Sequence, residues 1–444
     1  MCGYVSMCFK KNHTILYVLL YFKSRLDLPS FHHLKYLLAM KFKLLFSLVF
    51  CLPSFIFGQK TDATLRAKAD KLAHKFMITD GHVDLPYRLK IQNFRLERHY
   101  IDSLVIATDA KTGNFDYVRA KKGGLSVPFM SIYIPANMQK TGNEKRLADS
   151  LIDMIQGIIK AYPDKFAEGK TPQYVEQNFK KGLISMPMGM ENGAPILALS
   201  DVDYFYKRGI RYITLTHGKD NHICDSSYDT TRTWGGLSPY GREVVAEMNR
   251  VGVMVDVSHV SDDAFWAVMD LTKKPCIASH SSCRFFTPEF KRNMSDSMIL
   301  RLGRNNGVIQ INFGTSFLDE KARKDIETKG HEVEKMLKDK GLKSTDKDAK
   351  PLIEQFQRDN PILFADVEKV ADHIDHVRKL IGINHIGIGS DFDGVGDTLP
   401  TGLKDVSQYP NLIFVLLKRG YSDSDIEKIC YKNVWRVWNE AEKK

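Results

Sequence analysis

The stretch FMITDGHVDLPY, residues 76–87, changes abruptly from apolar to polar residues. His82 and Asp84 lie two positions apart just where its apolar run ends. On a β-strand this spacing points both side chains to the same face. An imidazole nitrogen and a carboxylate oxygen on one face suit a borderline divalent cation such as Zn²⁺. The alternative is that Asp84 caps a turn and His82 is a hydrogen-bonded core histidine.

Other residues of metal-binding type also follow apolar runs. Glu191 follows GLISMPMGM, where a lone buried glutamate is costly unless it is paired or ligated, and its two oxygens could bridge two cations. His259 and His280 end the runs VGVMVDVS and PCIAS, where they could hold a second cation. Asp256 lies deeper in its run, and we interpret it mainly as a structural hydrogen-bonding residue, with orientation of a ligand histidine as the alternative. Each residue alone has an ordinary structural explanation, but together they predict a metal site.

Two further residues could act on a reaction at such a site. Asp391 in GIGSDFDG could accept a proton from a water activated by the cations, whereas Asp393 suits a tight turn. His217 in TLTHG could donate a hydrogen bond to a developing oxyanion, or it could be a metal ligand or a core histidine.

These residues need elements that bring them together, and the sequence contains eight apolar runs. In order they are FMITDGHVD, LSVPFMSIYIP, GLISMPMGMENG, IRYITLTHG, VGVMVDVSHV, PCIASHSS, GVIQINFG and HIGIGSDFDG. Helix-like stretches separate most of them, and alternation of strand and helix predicts a parallel sheet. We therefore predict the α/β class and a (β/α)8 TIM-type barrel, in which the carboxyl ends of all strands meet at one mouth. A doubly wound open sheet is the alternative, but the first strand is not followed by a Gly-rich nucleotide turn.

The helix-like stretches between the runs can be given bounds. They are Glu144–Ala161, Asp201–Arg208, Pro239–Arg250, Ser261–Leu271, Ser295–Asn305 and Phe364–Leu380. A charged, helix-compatible insertion, Asp319–Lys350, lies between strands seven and eight. We interpret it as a solvated helical decoration, with a lid or a dimer surface as the alternative.

The N-terminal part of the chain predicts export. MKFKLLFSLVFCLPSFIFGQK, starting at Met40, has the form of a secretory signal peptide, so we expect residues 1–58 to be an extension plus signal peptide and translation to start at Met40. Residues 59–444 are then one catalytic barrel domain of a periplasmic or secreted protein, with membrane association left open.

The net charge and the cysteines exclude other classes of protein. Residues 1–58 contain seven Lys and Arg against one Asp, so only +5 of the formal net charge of +11 belongs to the rest of the chain. That small excess makes nucleic-acid binding a poor interpretation. The seven cysteines show no metal-binding or disulfide spacing.

The motifs taken together resemble the membrane dipeptidase family, also called renal dipeptidase. The resemblance rests on DGHVDLP, GMENG, RYITLTH, LSPYGREVVAEMNRVGVMVDVSHVS, IASHSS, KRNMSD and GSDFDGV, and it extends from about Asp80 to Trp438. It implies a (β/α)8 barrel that holds two zinc ions and hydrolyses free dipeptides. It also implies a homodimer and leaves room for a D-residue at the C-terminal position of the substrate.

The resemblance also implies roles for individual residues. His82 and Asp84 would hold one zinc ion, His259 and His280 the other, and Glu191 would bridge the two. Three further residues would act on the substrate: His217 on the tetrahedral intermediate, Arg292 of KRNM on the terminal carboxylate, and Asp391 on the proton of the attacking water.

Two other functions remain open from the sequence. A di-zinc amidohydrolase on the same fold could act on a lactam, an ester or an N-acyl amino acid, and a barrel could also bind without catalysis. The loop GKDNHICDSSYDTTRTWGG after His217 departs from the animal members of the family, so the preferred substrate is not predicted.

Overall fold

Ten short β-strands run between helices along the chain. A computed structural model describes residues 61–91 and 113–443. The strands are β1 Ile78–Val83, β2 Leu125–Tyr133, β3 Phe166–Glu168, β4 Ile184–Met186, β5 Met188–Glu191, β6 Ile210–Thr214, β7 Met254–Asp256, β8 Ile277–Ala278, β9 Val308–Ile311 and β10 Ile386–Ile388. All have at least one buried residue because side chains pack on both faces of the sheet.

Eight of these strands close into a parallel barrel in the order β1-β2-β5-β6-β7-β8-β9-β10, with β10 pairing back to β1. Each of the eight predicted runs contributes one barrel strand, which confirms the (β/α)8 prediction. The third run differs in detail. Pro187 divides it into β4, which pairs with β3 in a separate two-stranded sheet, and β5, which enters the barrel. The three-residue β3 is too short to show an alternating pattern, so the sequence did not predict it.

The helices agree closely with the predicted stretches. They are the described helical residues 61–75, then Leu85–Ile91, Tyr117–Gly123, Glu144–Ala161, Pro172–Lys180, Ser200–Lys207, Pro239–Val251, Asp262–Leu271, Asp296–Arg304, Thr315–Leu318, Glu320–Asp339, Ala349–Asp359, Val367–Ile381, Tyr409–Lys418, Asp423–Glu427 and Asn433–Glu442. Ser238, Ser261 and Ser295 begin three of them, and each hydroxyl accepts a hydrogen bond from a first-turn backbone N–H. The predicted charged insertion, Asp319–Lys350, contains the helix Glu320–Asp339 and the first residues of the helix Ala349–Asp359.

The last helix, Asn433–Glu442, packs across the amino ends of the barrel strands. Trp435 and Trp438 are buried there in a cluster with Met77, Phe129 and Met254. The cluster closes that end with apolar side chains, so the opposite mouth is where polar residues can converge.

Residues Leu65–Lys444 form one compact unit. The predicted extension and signal peptide, residues 1–58, lie outside the described residues, and the assignment of residues 59–444 to one catalytic domain stays a prediction. Within the described ranges, no helix is both long enough and apolar enough to cross a membrane. Cys224, Cys276, Cys283 and Cys430 are buried free thiols.

A buried histidine joins three elements around the barrel mouth. His373, in the helix Val367–Ile381, accepts a hydrogen bond on Nδ1 from the Cys283 N–H (3.0 Å) and donates from Nε2 to the Leu318 carbonyl (3.1 Å). Only the neutral ring can do both. Burial lowers the pKa of His373 to about 3.

We predict that His373→Gln destabilises the fold by about 1–3 kcal/mol at pH 8, because hydrogen bonds at a buried site are lost. The gap between wild type and variant should narrow as the pH falls from 8 to 5. The pKa of His373 is lower in the folded protein than in the unfolded chain, so between pH 8 and 5 the unfolded wild-type chain takes up a proton at His373 that the folded protein does not. The wild type loses this contribution to its stability, and the variant has no histidine at this position to lose it. Urea unfolding at each pH measures the gap, with His331→Gln at an exposed position as the control. A gap that is constant with pH would contradict the prediction.

Candidate metal centre

The carboxyl ends of the barrel strands surround a cavity of about 330 Å³. His82 lies in β1 and Asp84 just after it, Glu191 ends β5, and His217, His259, His280 and Asp391 follow β6, β7, β8 and β10. The structure thus brings the five predicted ligands together with Asp391, the predicted general base, and His217, the predicted donor to the oxyanion. Three sets of these side chains place ligand atoms within 4.8 Å of one another: His82, Glu191 and His280; Glu191, His217 and His259; and His82, Asp84 and Asp391.

The Glu191 carboxylate divides the cluster into two halves. Its Oε2 lies 3.4 Å from His82 Nε2 and accepts a hydrogen bond from Ser131 Oγ (3.2 Å). Its Oε1 faces His259 Nε2 at 3.0 Å and His280 Nε2 at 3.3 Å. One carboxylate therefore presents one oxygen to each half, as a bridging ligand does.

The His82 ring is held with one nitrogen free to bind a cation. The Tyr212 hydroxyl lies 3.0 Å from the Gly81 carbonyl, to which it donates, and 2.9 Å from His82 Nδ1, from which it can accept. That arrangement puts a proton on Nδ1 and directs Nε2 into the cluster. Nε2 is buried without a hydrogen-bond partner and lies 3.3 Å from Asp84 Oδ2. A buried ring nitrogen between two carboxylates is a position that favours positive charge, either as a proton or as a bound cation.

His280 is oriented by a similar relay. The Ser279 hydroxyl donates to Asp256 Oδ2 (2.6 Å) and lies 2.8 Å from His280 Nδ1, so it can accept the Nδ1 proton. Asp256 also accepts from Thr214 Oγ1 (2.5 Å) and from the backbone N–H groups of Ser258 and Ser279 (3.0 and 2.8 Å). Both interpretations of Asp256 therefore apply: it is a structural hydrogen-bonding residue, and through Ser279 it orients His280.

Burial and charge put these groups in the forms that bind metals. Burial, followed by the nearby Arg292 charge, lowers the pKa of His259 well below its usual value, and burial followed by the His82 charge does the same for His280. Burial raises the pKa of Glu191, but the surrounding histidines outweigh it and hold the carboxylate ionised. Burial disfavours charge on His82 as well, but the groups around it, Tyr212, Glu191 and Asp84, outweigh burial and raise the pKa of His82 well above its usual value. Two neutral imidazoles, and a third ring held in a negative environment, around an ionised carboxylate form a donor set that suits a borderline divalent cation.

Asp391 lies at the edge of this set. Burial, with the Asp84 charge, raises the pKa of Asp391 to about 7, and Asn312 Nδ2 donates to its Oδ2 at 2.8 Å. The residue has a left-handed backbone (φ 62°), as does His259 (φ 67°). A Cβ at Gly394 would lie 2.1 Å from Asp391 Oδ1 and 2.2 Å from Asp84 Oδ2, so the turn after β10 requires glycine there.

Arg292 lies outside the ligand set but beside it. It is 4% exposed, and its guanidinium donates to Ser281 Oγ and the His280 carbonyl, both at 2.8 Å. Its Nε has no hydrogen-bond partner, and among the described residues no carboxylate forms an ion pair with it. Burial lowers the pKa of Arg292. A buried cation with a free donor suits an anionic ligand.

Sequence reasoning missed several residues of the site. Tyr212 and Ser279 act through a ligand histidine, and Tyr133 and Tyr228 line the cavity. Tyr133, at the end of β2, could have been found by asking which residue that strand brings to the mouth. Tyr212 looked like one more apolar residue of its strand, because its ring is buried in the barrel and only its hydroxyl is used.

We predict that Tyr212→Phe weakens metal binding about 10- to 100-fold, because His82 loses the acceptor that fixes its Nδ1 proton. Competition with a chelator measures the affinity. Tyr204→Phe is the matched control, since it also removes a hydrogen-bonding hydroxyl, but one on the outer helices that donates to Asp149 at 2.9 Å. Wild-type affinity in the Tyr212→Phe protein would contradict the role.

Comparison with known proteins agrees with this geometry. The family model of membrane dipeptidase, peptidase family M19, matches residues 66–444. Dipeptidase verJ of Clonostachys rogersoniana is 35% identical over 386 residues, which cover 85% of this chain and 87% of that protein.

Two solved structures share the fold. One, described as the dipeptidase AC, a metallopeptidase of family M19, aligns with a TM-score of 0.67 at 25% identity and covers 82% of this chain and 98% of its own. The other is a metallopeptidase from Rhodobacter sphaeroides liganded with a phosphinate mimic of the dipeptide L-Ala-D-Ala. It aligns with a TM-score of 0.66 at 24% identity over 82% of this chain and 99% of its own. Because the family model spans nearly the whole barrel and the sequence relative is itself a dipeptidase, the chain belongs to the membrane dipeptidase family, peptidase family M19, and is a metallo-dipeptidase.

Proposed function

We propose that the protein hydrolyses free dipeptides with two zinc ions bound at the barrel mouth. His82, Asp84 and Glu191 would hold the first ion, and Glu191, His259 and His280 the second. The observation that carries this proposal is the Glu191 carboxylate, whose two oxygens face two separate sets of nitrogen and oxygen donors. When bound, the two cations would polarise the scissile carbonyl and acidify the attacking water.

Protein groups would handle the proton and the developing charge. Asp391 is suited to take the proton from the water, because its pKa is raised to about 7 and Asn312 fixes its carboxylate. His217 is placed to donate to the oxyanion of the tetrahedral intermediate. Its Nε2 lies 3.7 Å from Glu191 Oε1, farther than the nitrogens of His259 and His280, so we assign it to the substrate rather than to the metal.

Arg292 would select substrates with a free C-terminal carboxylate. Its buried guanidinium has no carboxylate partner among the described residues, and its planar fork matches a carboxylate in two hydrogen bonds. A carboxylate bound beside the scissile bond leaves room for one residue on that side, which suits a dipeptide and not a longer chain.

The C-terminal residue of the substrate is proposed to tolerate the D-configuration. The support is the family relative from Rhodobacter sphaeroides, whose ligand mimics L-Ala-D-Ala. Export through the predicted signal peptide and a homodimeric state are further proposals that rest on the sequence and on the resemblance.

We predict that the purified protein cleaves L-Ala-L-Ala and L-Ala-D-Ala, loses this activity when a chelator removes its metal, and regains it with zinc. Amidating the C-terminus of the same dipeptides should lower kcat/KM by roughly 100-fold or more, because Arg292 then lacks its anion. Release of free amino acids and bound zinc per chain are the two measurements.

Two arginine variants serve as comparison and control. Arg292→Lys should have a much lower kcat/KM than the wild type for the free dipeptide. Its kcat/KM for the amide should be close to that of the wild type. Arg250→Lys removes a guanidinium that pairs with Glu247 (2.6 Å) on an outer helix and should behave as wild type. A protein that held two zinc ions but cleaved lactams or N-acyl amino acids instead of dipeptides would overturn the substrate assignment.

We predict that Asp391→Asn lowers kcat about 10²- to 10⁴-fold, because the amide cannot take up the proton. Its zinc content should stay at the wild-type value. Zinc analysis of the variant separates the two possible roles of Asp391, which also lies within reach of His82 and Asp84. Loss of one zinc ion would identify it as a ligand rather than a base.

A further inference from the structure

Tyr228 lines the cavity from the loop that follows β6. Its ring centroid lies 6.0 Å from that of His259 and 6.2 Å from that of Phe290, and 46% of the residue is exposed. The backbone N–H of Tyr228 donates to Ser226 Oγ at 3.2 Å, but within the described part of the chain its hydroxyl has no hydrogen-bond partner. A phenol that faces a polar cavity without a partner is available to a ligand.

The loop holds this phenol in place before any ligand arrives. Asp225 accepts hydrogen bonds from the backbone N–H groups of Trp234 (2.9 Å) and Gly236 (2.8 Å), which closes the loop on itself. The Ser227 N–H donates to the His259 carbonyl at 2.8 Å and ties the loop to the metal centre. Little conformational entropy remains to be lost when Tyr228 binds a ligand.

Arg292 is connected to Tyr228 through two phenylalanine rings. Its Cζ is 5.3 Å from the centroid of Phe317, which lines the cavity, and Phe317 packs edge-to-face on Phe290 beside Tyr228. The Arg292 charge is also the leading charge that acts on the Tyr228 hydroxyl, whose pKa burial raises to about 12. The phenol therefore stays protonated at neutral pH and can donate. His217 also lines the cavity, with its ring 4.2 Å from that of His259.

We propose that Tyr228 is a substrate-binding residue that donates a hydrogen bond to the C-terminal carboxylate of the dipeptide, beside Arg292. The inference rests on the proposed function, since it assumes that the ligand of Arg292 is this carboxylate. A carboxylate has two oxygens with several acceptor positions. Two of the N–H groups of Arg292 already donate to Ser281 Oγ and the His280 carbonyl, so fewer remain for the ligand. The phenol supplies the additional donor, and the rings of Phe290 and Phe317 pack beside it.

The test is Tyr228→Phe, assayed with L-Ala-D-Ala and with the C-terminal amide of the same dipeptide. Because a hydrogen bond to a charged group is lost, KM for the free dipeptide should rise roughly 10- to 100-fold with kcat nearly unchanged. The amide should be cleaved by the variant as well as by the wild type. Tyr174→Phe, at an exposed position on an outer helix, is the matched control, and a thermal melt checks that both variants fold.

Each other outcome has a definite meaning. Equal losses on the dipeptide and its amide would place Tyr228 at the scissile bond and overturn the inference, as would a variant that matches wild type on both. If the wild type cleaves neither compound, the proposed function fails. Calorimetric titration of wild type and Tyr228→Phe with L-Ala-D-Ala then decides the inference separately, because only a carboxylate contact predicts weaker binding by the variant.

Discussion

The arrangement of the barrel mouth depends on one buried carboxylate. Glu191 lies among the rings of four histidines and is 4% exposed, so its charge is stabilised by the groups around it and not by water. Among the surrounding nitrogens, His82 Nε2 has no hydrogen-bond partner. The Nε2 atoms of His259 and His280 lie 2.8 Å apart, where one ring can donate to the other. The donor set suits bound metal, since each of these lone pairs and each Glu191 oxygen would then have a positive partner.

The support for this centre reaches to the far end of the barrel. Trp438 closes the amino ends of the strands and packs on Phe129 at 5.3 Å, and Phe129 packs on Tyr212 at 5.6 Å. The Tyr212 hydroxyl then fixes His82. A Cβ at Gly189 would lie 1.9 Å from the Tyr212 ring, so that neighbouring strand must carry glycine for the ring to fit. The C-terminal helix therefore acts on a metal ligand through a continuous column of packed rings, and damage to this helix should affect the site as well as the fold.

Charge at the barrel mouth is not balanced by the protein alone. Asp84, Glu191 and Asp391 gather carboxylates there, and bound metal would neutralise them. Arg292 is a buried cation close to this set, with no carboxylate ion pair in the described part of the chain. A free dipeptide is a zwitterion, and its carboxylate would complete a pair that the protein leaves incomplete.

The sequence by itself determined the barrel, its eight strands and the residue types at each strand end. The reason is local: apolar runs with polar ends and capped helices between them are consequences of burial and backbone hydrogen bonding. It also indicated His82, Asp84, Glu191, His259 and His280 as candidate ligands, because metal-binding residue types repeated at equivalent places. Only the tertiary structure decided how Glu191 divides its oxygens, which nitrogen of His82 is free, and that Tyr212 and Tyr228 belong to the site. These features depend on distances between residues far apart in the chain, such as the 130 positions that separate His82 from Tyr212. A tyrosine in a core strand and a tyrosine in a polar loop have no local signal that distinguishes them from ordinary packing and surface residues.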